Sequence, residues 1–164
     1  MMAKKITFYA LFCSACLICG YIESLFSLSF IAPGIKLGLS NAVALLLVAK
    51  RDFKGALLVN VARILISALL FSNLFSLCFS LPAGIISLVF SYLLYKTDKV
   101  SLIGISIAGG VIHNICQSVT AYLLLGAGVL YYLPFLILAG LISGAFIGTI
   151  SLLTFKRIEK HLKF

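Results

Sequence analysis

Charge is scarce in this chain, and acidic charge is scarcest. Only 10% of its 164 residues are Asp, Glu, Lys or Arg, and just four of these are acidic. A soluble domain carries about 25% charged residues, so this scarcity excludes an ordinary water-soluble protein. The four acids, Glu23, Asp52, Asp98 and Glu159, are scattered and provide no paired carboxylates for metal-assisted diphosphate chemistry. There is no Walker loop, so the chain does not hydrolyse ATP by itself. Ser–His–Asp and HExxH arrangements are absent too, and no catalytic residue is assigned. The chain reads as a non-enzyme. Its five cysteines, Cys13, Cys16, Cys19, Cys78 and Cys116, lie in apolar runs without a disulfide framework. "CSACLIC" has a spacing seen in iron–sulfur ligation. On a membrane helix, cysteines three apart are more simply small packing residues. Neither a metal nor a cofactor is expected.

Apolar sequence is abundant instead: 63% of the chain is hydrophobic and the mean hydropathy is +1.22. A membrane-crossing helix needs about 20 apolar residues, so there is room for about six. The expected fold is an all-α integral membrane protein, one membrane domain over residues 1–164, with six transmembrane helices. The helices are expected at Ile6–Phe26, Leu37–Ala49, Gly55–Ser72, Leu74–Tyr95 (interrupted by Pro82), Val100–Leu125 and Leu130–Phe155. The N-terminus has a signal-like start of two lysines and an apolar core. It has no clear cleavage site and runs past signal length, so it reads as an uncleaved first helix. Asn73 and the "GAG" of Gly126–Gly128 mark outer turns.

The net charge of +9 does not indicate nucleic acid, because the basic residues cluster between apolar runs. Eleven of the thirteen Lys and Arg fall in Met1–Lys5, Lys50–Lys54, Lys96–Lys99 and the tail from Lys156. By the positive-inside rule these segments are cytoplasmic, and so are both termini. Lys36 is the only basic residue in an outer connection, and Arg63 lies within a helix.

Polar groups at membrane depth are costly and by default mark a functional site. At 1.5 Å per residue, Glu23 lies about 27 Å from the inner end of its helix, Arg63 about 14 Å past Lys54, and His113 about 20 Å into its helix. Gly109, His113 and Gln117 repeat at four-residue spacing, with Thr120 beyond them; Asn60, Arg63 and Ser67 share another face. Asn114 and Asn41 lie nearby in the outer half. Glu23, Lys36, Asn41, Asn60, Arg63, Gly109, His113, Asn114 and Gln117 are therefore the candidate substrate-binding set. The cavity is expected among the first, third and fifth helices and open to the outside. Its basic groups favour an anionic ligand such as a carboxylate or phosphate. The alternative is internal glue, with Arg63 paired to Glu23 and His113 to Asn60.

Gly140, Gly144 and Gly148 repeat at strict four-residue spacing, and Ala10/Ser14 and Cys16/Gly20 do so on the first helix. Such stripes permit close helix approach. They serve either packing within the chain or docking to a partner membrane subunit.

"PGIKLGLSNAVAL" (Pro33 to Leu45) and "GGVIHNICQSVTAYLLLG" (Gly109 to Gly126) resemble the bacterial Gx transporter family, often labelled heptaprenyl diphosphate synthase component I. The resemblance covers nearly the whole chain. That family is similar to the substrate-binding S components of energy-coupling factor transporters. The resemblance implies a six-helix S-component fold in the bacterial cytoplasmic membrane. It also implies uptake of a vitamin or small metabolite with a transmembrane coupling subunit and two ATPases. The label itself implies an accessory membrane subunit of prenyl diphosphate synthesis.

Leu37 to Ala49 would span only about 20 Å as a helix, less than the roughly 30 Å apolar core. With its inner end fixed by the basic cluster, its outer end stops below the surface, and Ser27–Lys36 reads as a lid. Lys36→Ala is expected to weaken ligand binding, measured by titration of the purified protein; unchanged affinity would make the segment a plain connector.

Overall fold

The computed structural model describes residues 2–25, 38–70 and 74–161. Within them the chain forms six α-helices: α1 Met2–Leu25, α2 Leu39–Ala49, α3 Phe53–Leu70, α4 Leu74–Lys96, α5 Leu102–Leu125 and α6 Leu133–His161. Five segments are long and apolar enough to cross a membrane: Lys5–Leu25, Phe53–Leu70, Phe75–Lys96, Leu102–Leu125 and Ala127–Arg157. Their outward faces carry large apolar side chains such as Leu11, Ile18, Leu69, Leu123, Ile142 and Leu153, as a lipid-facing surface requires. The chain is a multi-pass helical membrane protein. The expected turn at Asn73 and the expected lid at Ser27–Lys36 lie outside the described residues.

The sixth helix of the expected bundle does not match the other five. α2 has 11 residues, about 16 Å of rise, too short to cross on its own. It packs against α1, α3, α4 and α6. Ala44 to Ala49 are each at most 8% exposed, with Leu47 and Val48 wholly buried. The short helix is the centre of the bundle. Around it α1 packs on α3, α3 on α4, α4 on α5 and α5 on α6.

Pro82 does not interrupt α4, which runs unbroken through it. A membrane helix tolerates the missing N–H when neighbouring groups satisfy the freed backbone. The connection at Gly126–Gly128 is longer than expected. Gly126 ends α5 at φ 88°, and a 3-10 helix, Ala127–Tyr132, leads into α6 at Leu133 rather than Leu130.

Helices α5 and α6 form the most extensive pair, and the glycine stripe is the reason. A Cβ at Gly140 would sit 3.0 Å from the Gly110 carbonyl oxygen; one at Gly144, 2.7 Å from Ile107 Cα; one at Gly148, 2.8 Å from Ile103 Cα. Gly140, Gly144 and Gly148 therefore pack within the chain, and α5 occupies the face that was open to a partner-docking reading. Ala10 and Ser14 differ: both are exposed, and the Ser14 hydroxyl donates to its own helix at Ala10 O, 2.9 Å away.

The basic ends meet on one side. Tyr9 donates to Asp52 Oδ2 at 2.6 Å, and Asp52 Oδ1 accepts the Gly55 N–H at 3.0 Å, joining the start of α1 to the α2–α3 turn. Arg51 pairs with both carboxylate oxygens of Asp98 at 2.8 and 3.0 Å, joining that turn to the α4–α5 turn. Arg51 and Asp98 both adopt left-handed backbone, φ 60° and 52°.

Gly144→Val forces α5 and α6 apart. It is expected to destabilise the protein by about 2 kcal/mol through overpacking, read as a lower melting temperature in detergent. Unchanged melting would show that the helices separate at no cost.

Candidate functional site

The site is built around the start of α2. Gly38 precedes the helix in left-handed conformation, φ 74°, and its carbonyl accepts the Asn41 N–H at 2.8 Å. A helix start leaves backbone N–H groups without intrahelical partners. Here Glu23 of α1 accepts the Gly38 N–H through Oε1. A carboxylate is the favoured group at a helix N-terminus.

Arg63 of α3 lies beside this start and is 9% exposed. Its Nη1 donates to Ser40 Oγ at 2.6 Å and its Nη2 to Asn41 Oδ1. Its Nε and Nη2 both donate to Asn60 Oδ1, at 3.0 and 2.8 Å. Asn60, 2% exposed, donates in turn to Gly84 O of α4 at 2.9 Å. Gly84 O also accepts the Ser87 hydroxyl at 3.3 Å, and Ser87 Oγ lies 3.4 Å from His113 Nδ1 of α5. One chain of polar groups thus links α2, α3, α4 and α5.

Beside this chain lies a cavity of about 60 Å³. That is room for about two water molecules or one small polar group. Gly38 and Asn41 mark one end, and Ala44, Leu45 and Val48 continue down the same face of α2. Asn60 enters from α3, and Gly84, Ser87, Leu88 and Ser91 line it from α4. α5 contributes Ser106, Gly109 and Gly110; α6 contributes Ser143, Gly144 and Ile147. Ser91 and Ser106 lie five residues from Lys96 and Ser101, about 7 Å from the basic ends of their helices.

Of the candidate residues, Asn41, Asn60 and Gly109 line this cavity. Arg63 and His113 stand behind it, through Asn60 and Ser87. Glu23 holds Gly38. Asn114 instead donates to Leu136 O of α6 at 2.6 Å, a helix-packing bond, and Gln117 is not part of the lining. Lys36 lies outside the described residues. The cavity expected among the first, third and fifth helices is bounded by α2, α4, α5 and α6, with Asn60 entering from α3. α1 gives it no described residue, and it reaches toward the basic side. The expected link of His113 to Asn60 runs through Gly84 O and Ser87.

Sequence reasoning missed the serines. Gly84, Ser87 and Ser91 recur at three- and four-residue spacing on α4, a polar stripe in an otherwise apolar helix. That spacing was the available signal. Cys16 is a packing residue, 1% exposed with its Sγ 3.5 Å from Ser40 O; Cys78 is exposed.

These observations define a class, a multi-pass helical membrane protein with a polar cavity alongside a short central helix. A family profile described as heptaprenyl diphosphate synthase component I matches residues 12–153. The chain belongs to that family. Searches of curated proteins and of solved structures found no match.

Arg63→Ala strips four donated hydrogen bonds from Ser40, Asn41 and Asn60. It is expected to cost about 3 kcal/mol, because buried acceptors are left unpaired. Arg63→Lys should restore only part of this, since an ammonium cannot reproduce the planar fork. Thermal unfolding of both variants in detergent reads the outcome, and wild-type melting of Arg63→Ala would remove Arg63 from the fold's support.

Proposed function

We propose that this protein is a non-catalytic, substrate-binding membrane subunit, similar in role to the S components of energy-coupling factor transporters. It binds a small metabolite in the cavity lined by α2, α3, α4, α5 and α6. The observation that carries this reading is the cavity: serines and asparagines converge on it from five helices of a very apolar chain. Polar groups inside a membrane protein are expensive, and they persist where they meet a ligand, an ion or each other. The clustering of basic residues supports both termini in the cytoplasm of a bacterial cell. Transport would require a coupling subunit and two ATPases supplied by other chains. The exposed Ala10/Ser14 face of α1 is the small-residue stripe left open to such a coupling subunit.

The family description favours a second reading, an accessory membrane subunit of heptaprenyl diphosphate synthesis. With only four acids in the chain, the prenyl transfer itself would fall to a partner enzyme.

Mass spectrometry of small molecules retained by the protein in mild detergent tests the first reading. Wild type should retain one species. Ala44→Leu, which fills the cavity from α2, should lose it while still melting cooperatively. A protein that retains nothing, but captures a soluble prenyl diphosphate synthase and supports prenyl chain synthesis, would replace the first reading with the second.

A further inference from the structure

Serine and threonine on membrane helices normally satisfy their hydroxyls on their own backbone. This chain follows that habit repeatedly. Ser118 donates to Asn114 O at 2.8 Å, Thr120 to Cys116 O at 3.0 Å and Thr149 to Ala145 O at 2.8 Å. Ser91, Ser106 and Ser143 do not follow it. None of these three hydroxyls has a hydrogen-bond partner among the described residues, and all three residues line the cavity. Ser91 is 7% exposed and Ser106 8%. They come from three different helices, so their meeting is a product of the fold and not of one stripe.

Glycines hold them in place. Ser91 Oγ occupies the space that a side chain at Gly109 would fill. Ser106 lies between Gly144 and Gly148 of α6: a Cβ at Gly144 would be 2.9 Å from its carbonyl oxygen, and one at Gly148 2.9 Å from its Cβ. These contacts fix the rotation of α4, α5 and α6 that turns the hydroxyls inward. No buried side-chain oxygen or nitrogen among the described residues lacks a partner, so these unpartnered hydroxyls open onto the cavity, where a bound group can meet them.

We propose that Ser91, Ser106 and Ser143 form the recognition subsite of this protein, and that it takes an uncharged hydrogen-bonding group such as an amide or a hydroxyl. This deepens the reading of the cavity as a ligand site and rests on it. Among the described residues, no charged one lines the cavity. Arg63 donates to Ser40, Asn41 and Asn60 and does not itself line the cavity. An anion would give up its water with no cation among the described residues in contact, which is costly in a low-dielectric interior. Each hydroxyl can donate or accept, which suits a ligand group that does both.

Acetamide and acetate test this, being the same size and differing in charge. Saturation-transfer NMR on the full chain in detergent should show acetamide binding to wild type and much weaker binding of acetate. Removing the hydroxyls by Ser91→Ala, Ser106→Ala and Ser143→Ala should weaken acetamide binding by about fivefold for each. Melting should stay at the wild-type value, because these hydroxyls support no partner. Acetate binding as well as acetamide overturns the uncharged class. Undiminished acetamide binding to the triple variant overturns the serine subsite, and so does no acetamide binding to wild type. In each case a metabolite still retained by wild type, and lost in Ala44→Leu, leaves the ligand-site reading intact.

Discussion

A helix that starts inside an apolar bundle leaves polar groups where water cannot reach them. That constraint organises this protein. α2 is about half the length needed to cross a membrane, yet it is the most buried helix of the fold. Its last turns need only apolar neighbours, which Leu47 and Val48 find on every side. Its first turn needs partners. Glu23 takes the Gly38 N–H, and Arg63 takes the side-chain oxygens of Ser40 and Asn41. Arg63 is thus explained by the helix start it braces. Its bond to Asn60, and that of Asn60 to Gly84 O, extend the brace to α4.

The brace changes what the intramembrane charge means. A lone arginine at membrane depth invites the reading of an anion site. Here its guanidinium is engaged by the protein's own oxygens, at 2.6 Å for Ser40 and 3.0 Å for Asn60. Asn41 and Asn60, together with the serines, line the cavity. A charged group can in this way support a cavity without lining it.

Much of this was legible in the sequence, for physical reasons. The scarcity of charge required a membrane, and the clustering of lysine and arginine marked the turns. Arg51 and Asp98, distant in the chain, meet at 2.8 Å on the side where those turns gather. The shortness of α2 followed from the basic cluster that ends it. The site was only partly legible. Asn41, Asn60 and Gly109 could be named because amides and glycines stand out in an apolar helix. The serines could not, because a serine in a membrane helix satisfies itself as readily as it serves a cavity. Ser118 and Ser106 are on the same helix, yet Ser118 bonds its own backbone and Ser106 does not. Helix rotation decides between them, and tertiary packing sets that rotation.

The packing that sets it is the glycine contact of α5 with α6. Gly140, Gly144 and Gly148 bring the two backbones close enough that Ser106 is held against α6, and Ser143 sits beside Gly144 on the cavity wall. Wider spacing would let either helix turn and back-bond its serine. The same glycines also remove side chains that would fill the space, as Gly109 does for Ser91. The stripe that reads as a docking motif is therefore both the adhesive of the bundle and the cause of its cavity. In a chain with so little charge, the polar surface of the interior depends on where side chains are missing as much as on where polar ones are present.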